Sequence, residues 1–102
     1  LLLIVSDPTF KGIQTAKRIN ALVDELSLEI DRRVLIINRI SGPDGDKLRT
    51  MAEGYGIRVA GLVPQDDTIF EFDLQGKPIY RLPGDSSALN TVYAILDTLL
   101  IP

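Results

Sequence analysis

Asn38 is the residue of this sequence best suited to hold a ligand, because it directly follows a run of branched apolar residues, VLII at positions 34–37. Such a run is typical of a strand that is buried on both faces of a parallel sheet. Ligands of open α/β sheets bind at the carboxyl ends of the strands, where Asn38 would lie. Its amide carries a donor beside an acceptor and could pair with the amino group and ring nitrogen of adenine. The simpler alternative is that Asn38 hydrogen-bonds the next loop.

Other polar residues are expected at the same edge of the sheet. Arg39 could flank a bound base, although an exposed arginine after a strand is more often solvated. Pro64, Gln65 and Asp66 follow the next predicted strand and would line the same opening. Asp66 and Asp67 are a candidate metal pair, but an aliphatic helix follows and no histidine is near, so a helix cap is the simpler interpretation.

The composition leaves few groups for catalysis. The 102 residues include no cysteine and no histidine, which excludes disulfides, thiolate ligands and the commonest general base. With 11 basic and 14 acidic residues and no basic cluster, a nucleic-acid surface has no electrostatic support. No G-x-x-x-x-G-K-S/T sequence occurs, so the chain has a candidate base site without a phosphate loop. We expect no catalytic residue, no metal site and no ATP cleavage by this chain alone.

Two kinds of apolar pattern, continuous runs and helical periodicity, alternate along the chain and predict the elements that would position these residues. Continuous apolar runs predict strands at residues 1–5, 34–40 and 58–63. Three- and four-residue periodicity predicts helices at about 10–26, 48–55, 69–74 and 86–100, with an extended piece at 79–82. This order predicts a three-layer α/β fold in which helices flank a parallel sheet of about three strands.

Two predicted helices carry the longest apolar stripes, which should cover the sheet. In the first helix the stripe consists of Ile13, Ala16, Ile19, Val23 and Leu26. In the last helix it is wider and consists of Leu89, Val92, Tyr93, Leu96, Leu99 and Leu100.

The first predicted strand is apolar, begins at residue 1 and would lie at the edge of the sheet. An exposed apolar edge invites pairing with another chain. The first residue is also not methionine. We therefore expect that residues 1–102 form a single partial domain of a longer protein, or that the chain dimerises or exchanges elements with another copy.

Three stretches of the sequence resemble one family of nucleotide-dependent proteins. They are VSDPTFKGIQTAKRI, VLIINRI and GLVPQDDTIFEFDLQGKPI, which begin at residues 5, 34 and 61 and together extend over nearly the whole chain. In these stretches the chain resembles the carboxyl-terminal half of the MinD/ParA-type P-loop ATPases. It looks most similar to the CooC type, the nickel-insertion ATPases that mature carbon monoxide dehydrogenase.

The resemblance implies roles for the candidate residues. Asn38 would recognise adenine, and Pro64, Gln65 and Asp66 would be walls of the base pocket. The phosphate loop, the switch aspartates and the metal-binding Cys-x-Cys of the family all precede the first strand seen here, so ATP and Mg²⁺ would bind tightly only in a longer parent. That parent would be a cytoplasmic homodimer that closes on ATP and delivers nickel to a carbon monoxide dehydrogenase client, without nucleic acid or membrane.

Two other interpretations remain open. Within the same fold, the chain could belong to a partitioning or cell-division ATPase. In a different class, it could be a stand-alone α/β interaction domain, whose gene would start near Leu1 and encode no upstream phosphate loop.

Overall fold

Three parallel strands with helices on both faces make up the part of the chain that the structure describes. The computed structural model describes residues 1–76 and 86–100. The strands are β1 (Leu2–Ser6), β2 (Arg33–Ile40) and β3 (Arg58–Pro64), and they lie in the order β1-β2-β3. The helices are α1 (Phe10–Glu25), α2 (Gly45–Gly54), α3 (Asp67–Leu74) and α4 (Ser87–Leu100). The predicted α/β fold is confirmed, and the extended piece predicted at 79–82 lies outside the described residues.

The central strand β2 contributes to both hydrophobic cores, because successive side chains of a strand point to opposite faces of the sheet. Leu35 and Ile37 are fully buried in the core that α1 and α2 cover. Val34 and Ile36 are buried in the core that α4 covers. Burying a side chain of this kind contributes about 1.5–3 kcal/mol. The continuous apolar run therefore reflects burial on both faces, as the sequence predicted.

The face that α4 buries is narrower than the predicted stripe. Its buried residues include Ala88 and Ile95, whereas the predicted Tyr93 and Leu100 are 57% and 67% exposed. Gly61 of β3 explains this choice, since a side chain at that position would overlap Ile95. The glycine leaves a notch in the sheet that receives α4, and helical periodicity alone does not contain this information.

The edge strand β1 and the outer side of α1 leave an apolar flank uncovered. Among the described residues β1 pairs with β2 alone, and on the face away from α1 its residues Leu3 and Val5 are 37% and 63% exposed. On α1, Ile19 belongs to the predicted stripe but stays partly exposed, and together with Leu22 it lines an open depression of about 460 Å³. The exposed apolar edge predicted from the sequence is present.

Helix α2 begins at Gly45, about three residues before the start predicted from the sequence. A side chain at Gly45 would come within 3.1 Å of Leu62, so its absence lets the helix start close to β3. After the helix, Gly56 has a φ of +80°, the left-handed conformation that glycine adopts without strain.

Candidate functional site

The carboxyl ends of the three strands, here called the carboxyl edge of the sheet, bring the predicted site residues to one place. In the parallel pairing, Ser6 lies opposite Ile37, and Ile40 lies opposite Pro64. The backbone N–H of Gln65 donates to the carbonyl of Ile40 at 2.9 Å, which holds the exit of β3 against β2. The residues predicted for the site therefore all lie on segments at this edge: Asn38, Arg39, Pro64, Gln65 and Asp66.

Asn38 is half-buried near the end of β2 and uses one side of its amide. Its Oδ1 accepts the backbone N–H of Arg39 at 2.9 Å. An amide nitrogen cannot accept from an N–H group, so this contact determines which amide atom is the oxygen. Within the described chain the Nδ2 group has no acceptor, and Oδ1 keeps a second lone pair. Asn38 can therefore offer a ligand a donor and an acceptor side by side.

Arg39 is exposed, and its backbone has a φ of +56°. This left-handed conformation is uncommon for any residue other than glycine, asparagine or aspartate. The guanidinium makes no ion pair or hydrogen bond with the residues that the structure describes, so it is solvated beside the carboxyl edge. Its position is compatible with flanking a base, and its contacts do not require that role.

Asp66 connects the segment after β3 to the start of α4. Its Oδ2 accepts the hydroxyl of Ser86 at 2.5 Å and the backbone N–H of Ala88 at 3.3 Å. The Ser86 hydroxyl in turn accepts the backbone N–H of Leu89 at 3.3 Å. The sequence predicted Asp66 or Asp67 as a cap for α3; Asp66 does directly precede α3, but its carboxylate caps α4, and the Ser86 hydroxyl that donates to it lies 20 residues later in the chain.

The helix N-termini at the carboxyl edge carry acidic groups. At α1, the hydroxyl of Thr9 accepts the N–H of Gly12 at 2.9 Å and donates to the Asp7 carboxylate at 2.8 Å. Acidic residues also stand at the starts of the other helices, namely Asp44 and Asp46 at α2, Asp67 at α3 and Asp66 at α4. A helix N-terminus can bind phosphate through free N–H groups, but a carboxylate at that position repels an anion. The described part of the edge therefore suits an uncharged base better than a phosphate.

The described residues contain no group of three or more acidic, histidine or cysteine side chains that could hold a metal ion. Within the same ranges, every helix is too short or too polar to cross a membrane. The depression along α1 is lined by none of the predicted site residues.

Solved structures with the same fold include MinD and ParA proteins. A MinD cell division protein of Aquifex aeolicus superposes with a TM-score of 0.73 and 21% identity, over 98% of this chain and 44% of that one. A ParA family ATPase of Chlorobium tepidum TLS superposes with a TM-score of 0.69 and 26% identity, over 97% of this chain and 40% of that one. A chain of a MinC:MinD cell division protein complex of Aquifex aeolicus superposes with a TM-score of 0.63 and 20% identity, over 92% of this chain and 41% of that one. The chain therefore has the α/β fold of the MinD/ParA ATPases.

In sequence, the chain is similar to two uncharacterized ATP-binding proteins of Methanocaldococcus jannaschii. One is 25% identical over 100 residues, which are 98% of this chain and 40% of that protein. The other is 32% identical over 101 residues, which are 98% of this chain and 37% of that protein. No family model matches the sequence. The chain thus spans about two fifths of the length of the curated relatives that it matches.

Two features of the site are absent from the sequence predictions. One is the left-handed Arg39 with its contact to Asn38, for which the pattern VLIINRI contains no signal, since arginine is not typical of that conformation. The other is the link from Asp66 to Ser86, which local patterns cannot reveal because the partners are distant in sequence. The helix predicted at 86–100 locates the start of α4, but it does not indicate which distant residue caps that start.

Proposed function

We propose that this chain supplies the adenine-side subsite of a MinD/ParA-type ATPase. The observation that carries the proposal is the available half of the Asn38 amide at the carboxyl edge. The Nδ2 group can donate to a ring nitrogen of adenine while Oδ1 accepts from the exocyclic amino group. Guanine has an oxygen in place of that amino group and would bring a second acceptor against Oδ1. The likeness to two ATP-binding proteins supports the same class of ligand.

The other site residues take different roles in this proposal. Pro64 and Gln65 form a wall of the base site, because the hydrogen bond from Gln65 to Ile40 holds the exit of β3 directly beside β2. Asp66 supports this wall from behind, since its carboxylate already binds the start of α4. Arg39 flanks the base without a fixed contact.

The triphosphate, Mg²⁺ and the catalytic groups are held by another part of the protein. Carboxylates at the helix starts of this chain oppose phosphate binding, and the described residues contain no acidic cluster for a metal. The exposed apolar strand β1 is suited to pair with a strand of that other part, which would bury Val5. The curated relatives are long enough to contain such a part.

Within this class, we assign the parent to the CooC-like maturation ATPases: a cytoplasmic homodimer that closes on ATP and delivers nickel to carbon monoxide dehydrogenase. The resemblance of the three quoted stretches supports this assignment. A partitioning or cell-division ATPase is the second candidate, favoured by the likeness to MinD and ParA structures, one of which is a complex with MinC. Two measurements separate the candidates: the amount of nickel bound per dimer, and the activation of nickel-free carbon monoxide dehydrogenase by the nickel-loaded protein. A CooC-like ATPase should bind nickel and activate the enzyme, whereas a partitioning or cell-division ATPase should do neither.

The test of the adenine subsite uses the longer protein and the substitution Asn38→Ala. Loss of a paired base contact should weaken ATP binding roughly 5–150-fold and leave GTP binding nearly unchanged. Asn20→Ala is the matched control, because Asn20 lies on α1 and its side chain makes no hydrogen bond within the described chain. Isothermal titration measures both nucleotides, and an equal loss for ATP and GTP would show that Asn38 does not recognise the base.

The 102-residue chain itself provides a second test. Without phosphate contacts, ATP binding should be undetectable or in the millimolar range. A titration showing micromolar affinity would contradict the proposal that the phosphates are held by another part of the protein. A coding sequence that starts near Leu1, with no upstream glycine-rich loop ending in Lys-Ser/Thr, would instead support a stand-alone interaction domain.

A further inference from the structure

The pairing between β2 and β3 is irregular at the candidate site. Ile37 pairs with Leu62, but the next paired residue of β2 is Ile40, opposite Pro64. Asn38 and Arg39 therefore stand opposite a single residue of β3, which is the arrangement of a β-bulge. Bulges are rare between parallel strands and are frequent beside functional sites.

The bulge at Asn38 compensates for a second irregularity earlier in the same pair of strands. The pairing also shifts between Leu35 and Ile36, where β3 contributes the extra residue. The pairs Val34–Arg58 and Ile40–Pro64 consequently have the same sequence offset at both ends of the strand pair. The second bulge thus restores the register just before the chain leaves the sheet, and it does so at the residue that carries the free amide.

The bulge requires an unfavourable backbone conformation at Arg39. Its φ of +56° would be free of strain for glycine, but not for arginine. Among the described residues the other left-handed residue that is not glycine is Ser27, which lies in the exposed connection after α1 and makes no hydrogen bond to a candidate site residue. At Arg39 the conformation has a specific consequence, because the backbone N–H donates to Asn38 Oδ1.

We propose that Arg39 is a positioning residue: its left-handed backbone places its N–H on Asn38 Oδ1, which fixes Oδ1 on the Arg39 side of the amide and Nδ2 on the other side, with one lone pair of Oδ1 and the Nδ2 hydrogens left for the ligand. This inference rests on the proposed adenine subsite and states what makes it selective. The amide of an asparagine without a fixed contact can rotate by half a turn, which exchanges the positions of its donor Nδ2 and its acceptor Oδ1. Such an amide can bind ligand edges with either order of donor and acceptor. With Oδ1 bound to a backbone donor, rotation would place Nδ2 against the Arg39 N–H and lose that bond. The bulge therefore restricts the site to the amino-and-ring-nitrogen edge of adenine.

The first experiment needs no nucleotide and uses the 102-residue chain. Hydrogen exchange of the Arg39 amide is measured by NMR in the unaltered chain, in Asn38→Asp and in Asn38→Ala. Aspartate keeps an oxygen acceptor and should keep the protection, whereas alanine should make exchange roughly 2–12-fold faster. Equal exchange in all three chains would overturn the proposed contact.

The second experiment tests the backbone conformation through melting temperatures. Arg39→Gly should raise Tm because glycine is unstrained at this φ, and Arg39→Val should lower it because a β-branched residue strongly disfavours it. Arg58 is the matched control, since it is an exposed arginine in the regular part of β3. There the order should reverse, with Arg58→Val more stable than Arg58→Gly. The same order at both positions would overturn the inference.

The third experiment compares ATP and GTP affinities in the longer protein. Arg39→Gly should keep the preference for ATP, whereas Arg39→Val should reduce it about tenfold. If Arg39→Val keeps the preference, the positioning role is wrong while the adenine subsite stands. If Arg39→Gly loses it, the guanidinium contacts the base and positioning is again wrong. If the unaltered protein shows no preference, the proposed function fails, and with it the selectivity assigned to the bulge.

Discussion

The two ends of the sheet are held by opposite charges. At the amino end, Arg32 donates to the carbonyl of Leu99 in the last turn of α4 at 3.0 Å. The next residue, Arg33, pairs with the carboxylate of Asp24 in the last turn of α1 at 2.8 Å. Arg32 directly precedes β2 and Arg33 begins it, and the two side chains reach different helices, α4 and α1. Cations at helix C-termini are favourable, because the carbonyl groups there have no partner within the helix.

At the carboxyl end, carboxylates lie at the helix N-termini as the arginines lie at the helix C-termini. Some polar groups at this end, however, have no hydrogen-bond partner within the described chain. Asp66 and Thr9 cap α4 and α1, whereas the Nδ2 group of Asn38 keeps its hydrogens free within the described chain. Arg39 beside it holds a conformation that costs about 1–3 kcal/mol. The comparison indicates that the amino end closes the fold, while the carboxyl end keeps backbone strain at Arg39 and an unused donor group on Asn38 within the described chain.

The largest effect on stability is expected from Asp66, the carboxyl-end residue that is fully engaged. Asp66→Ala removes the acceptor of the Ser86 hydroxyl and of the Ala88 N–H, and should lower the free energy of unfolding by about 1–2 kcal/mol. Urea unfolding followed by circular dichroism measures the change. Asp97→Ala, at an exposed position of the same helix, should stay within about 0.5 kcal/mol of the unaltered chain. Equal stability of the two variants would mean that this cap contributes nothing.

Some of this comparison could be predicted from the sequence. The run VLII identified β2 as the central strand, and the alternation of patterns predicted the parallel sheet with Asn38 near its carboxyl edge. These features depend on local periodicity, which a sequence displays directly.

Other features depend on distant partners or on backbone strain. In the sequence, Arg32 and Arg33 are charged residues between a predicted helix and a predicted strand, and nothing local indicates that their partners lie on α4 and α1. The face of α4 was chosen by Gly61 in another element, and the bulge at Arg39 opposes the usual preference of its residue type. Local pattern could not predict these features, because the free energy that decides each one comes from tertiary packing.

A smaller effect is expected at the amino end from Arg33→Met, which keeps the apolar stem of the side chain and removes its donors. Arg33 also donates to the carbonyl of Ile30 at 3.0 Å and of Asn20 at 3.4 Å, so several contacts are lost together. The free energy of unfolding should fall less than in Asp66→Ala, because exposed ion pairs contribute little. High salt should reduce the difference in the free energy of unfolding between the unaltered chain and Arg33→Met, because it screens the ion pair with Asp24.

The control for Arg33 is Arg58→Met, at the amino end of β3. Arg58 is exposed and makes no hydrogen bond or ion pair with the described residues, so its loss should leave Tm nearly unchanged. If both arginine variants unfold alike, the amino end is not held by the contacts of Arg33, and the contrast between the two ends fails there.

The smallest expected effect is the pH dependence that the Asp24–Arg33 pair adds to the stability of the amino end. The hydrogen bond from Arg33 lowers the pKa of the Asp24 carboxyl, and the charge of the guanidinium adds to it against desolvation. Near the unfolded pKa of about 3.9 the unfolded chain thus binds more protons at this position than the folded chain. The contribution is fully present above that pH and is lost as the pH falls through the lower folded pKa.

A double-mutant cycle isolates this contribution from the other carboxylates of the chain. Unfolding of the unaltered chain, Asp24→Asn, Arg33→Met and the double variant is measured at about pH 6 and about pH 2. The coupling between the two positions should be favourable at the higher pH and should shrink at the lower one. A coupling free energy near zero at both pH values would mean that Arg33 holds the end of α1 through its contacts to the backbone carbonyls of Ile30 and Asn20 and not through the Asp24 charge. The amino end would then be held by helix and loop carbonyls alone, as Arg32 holds α4.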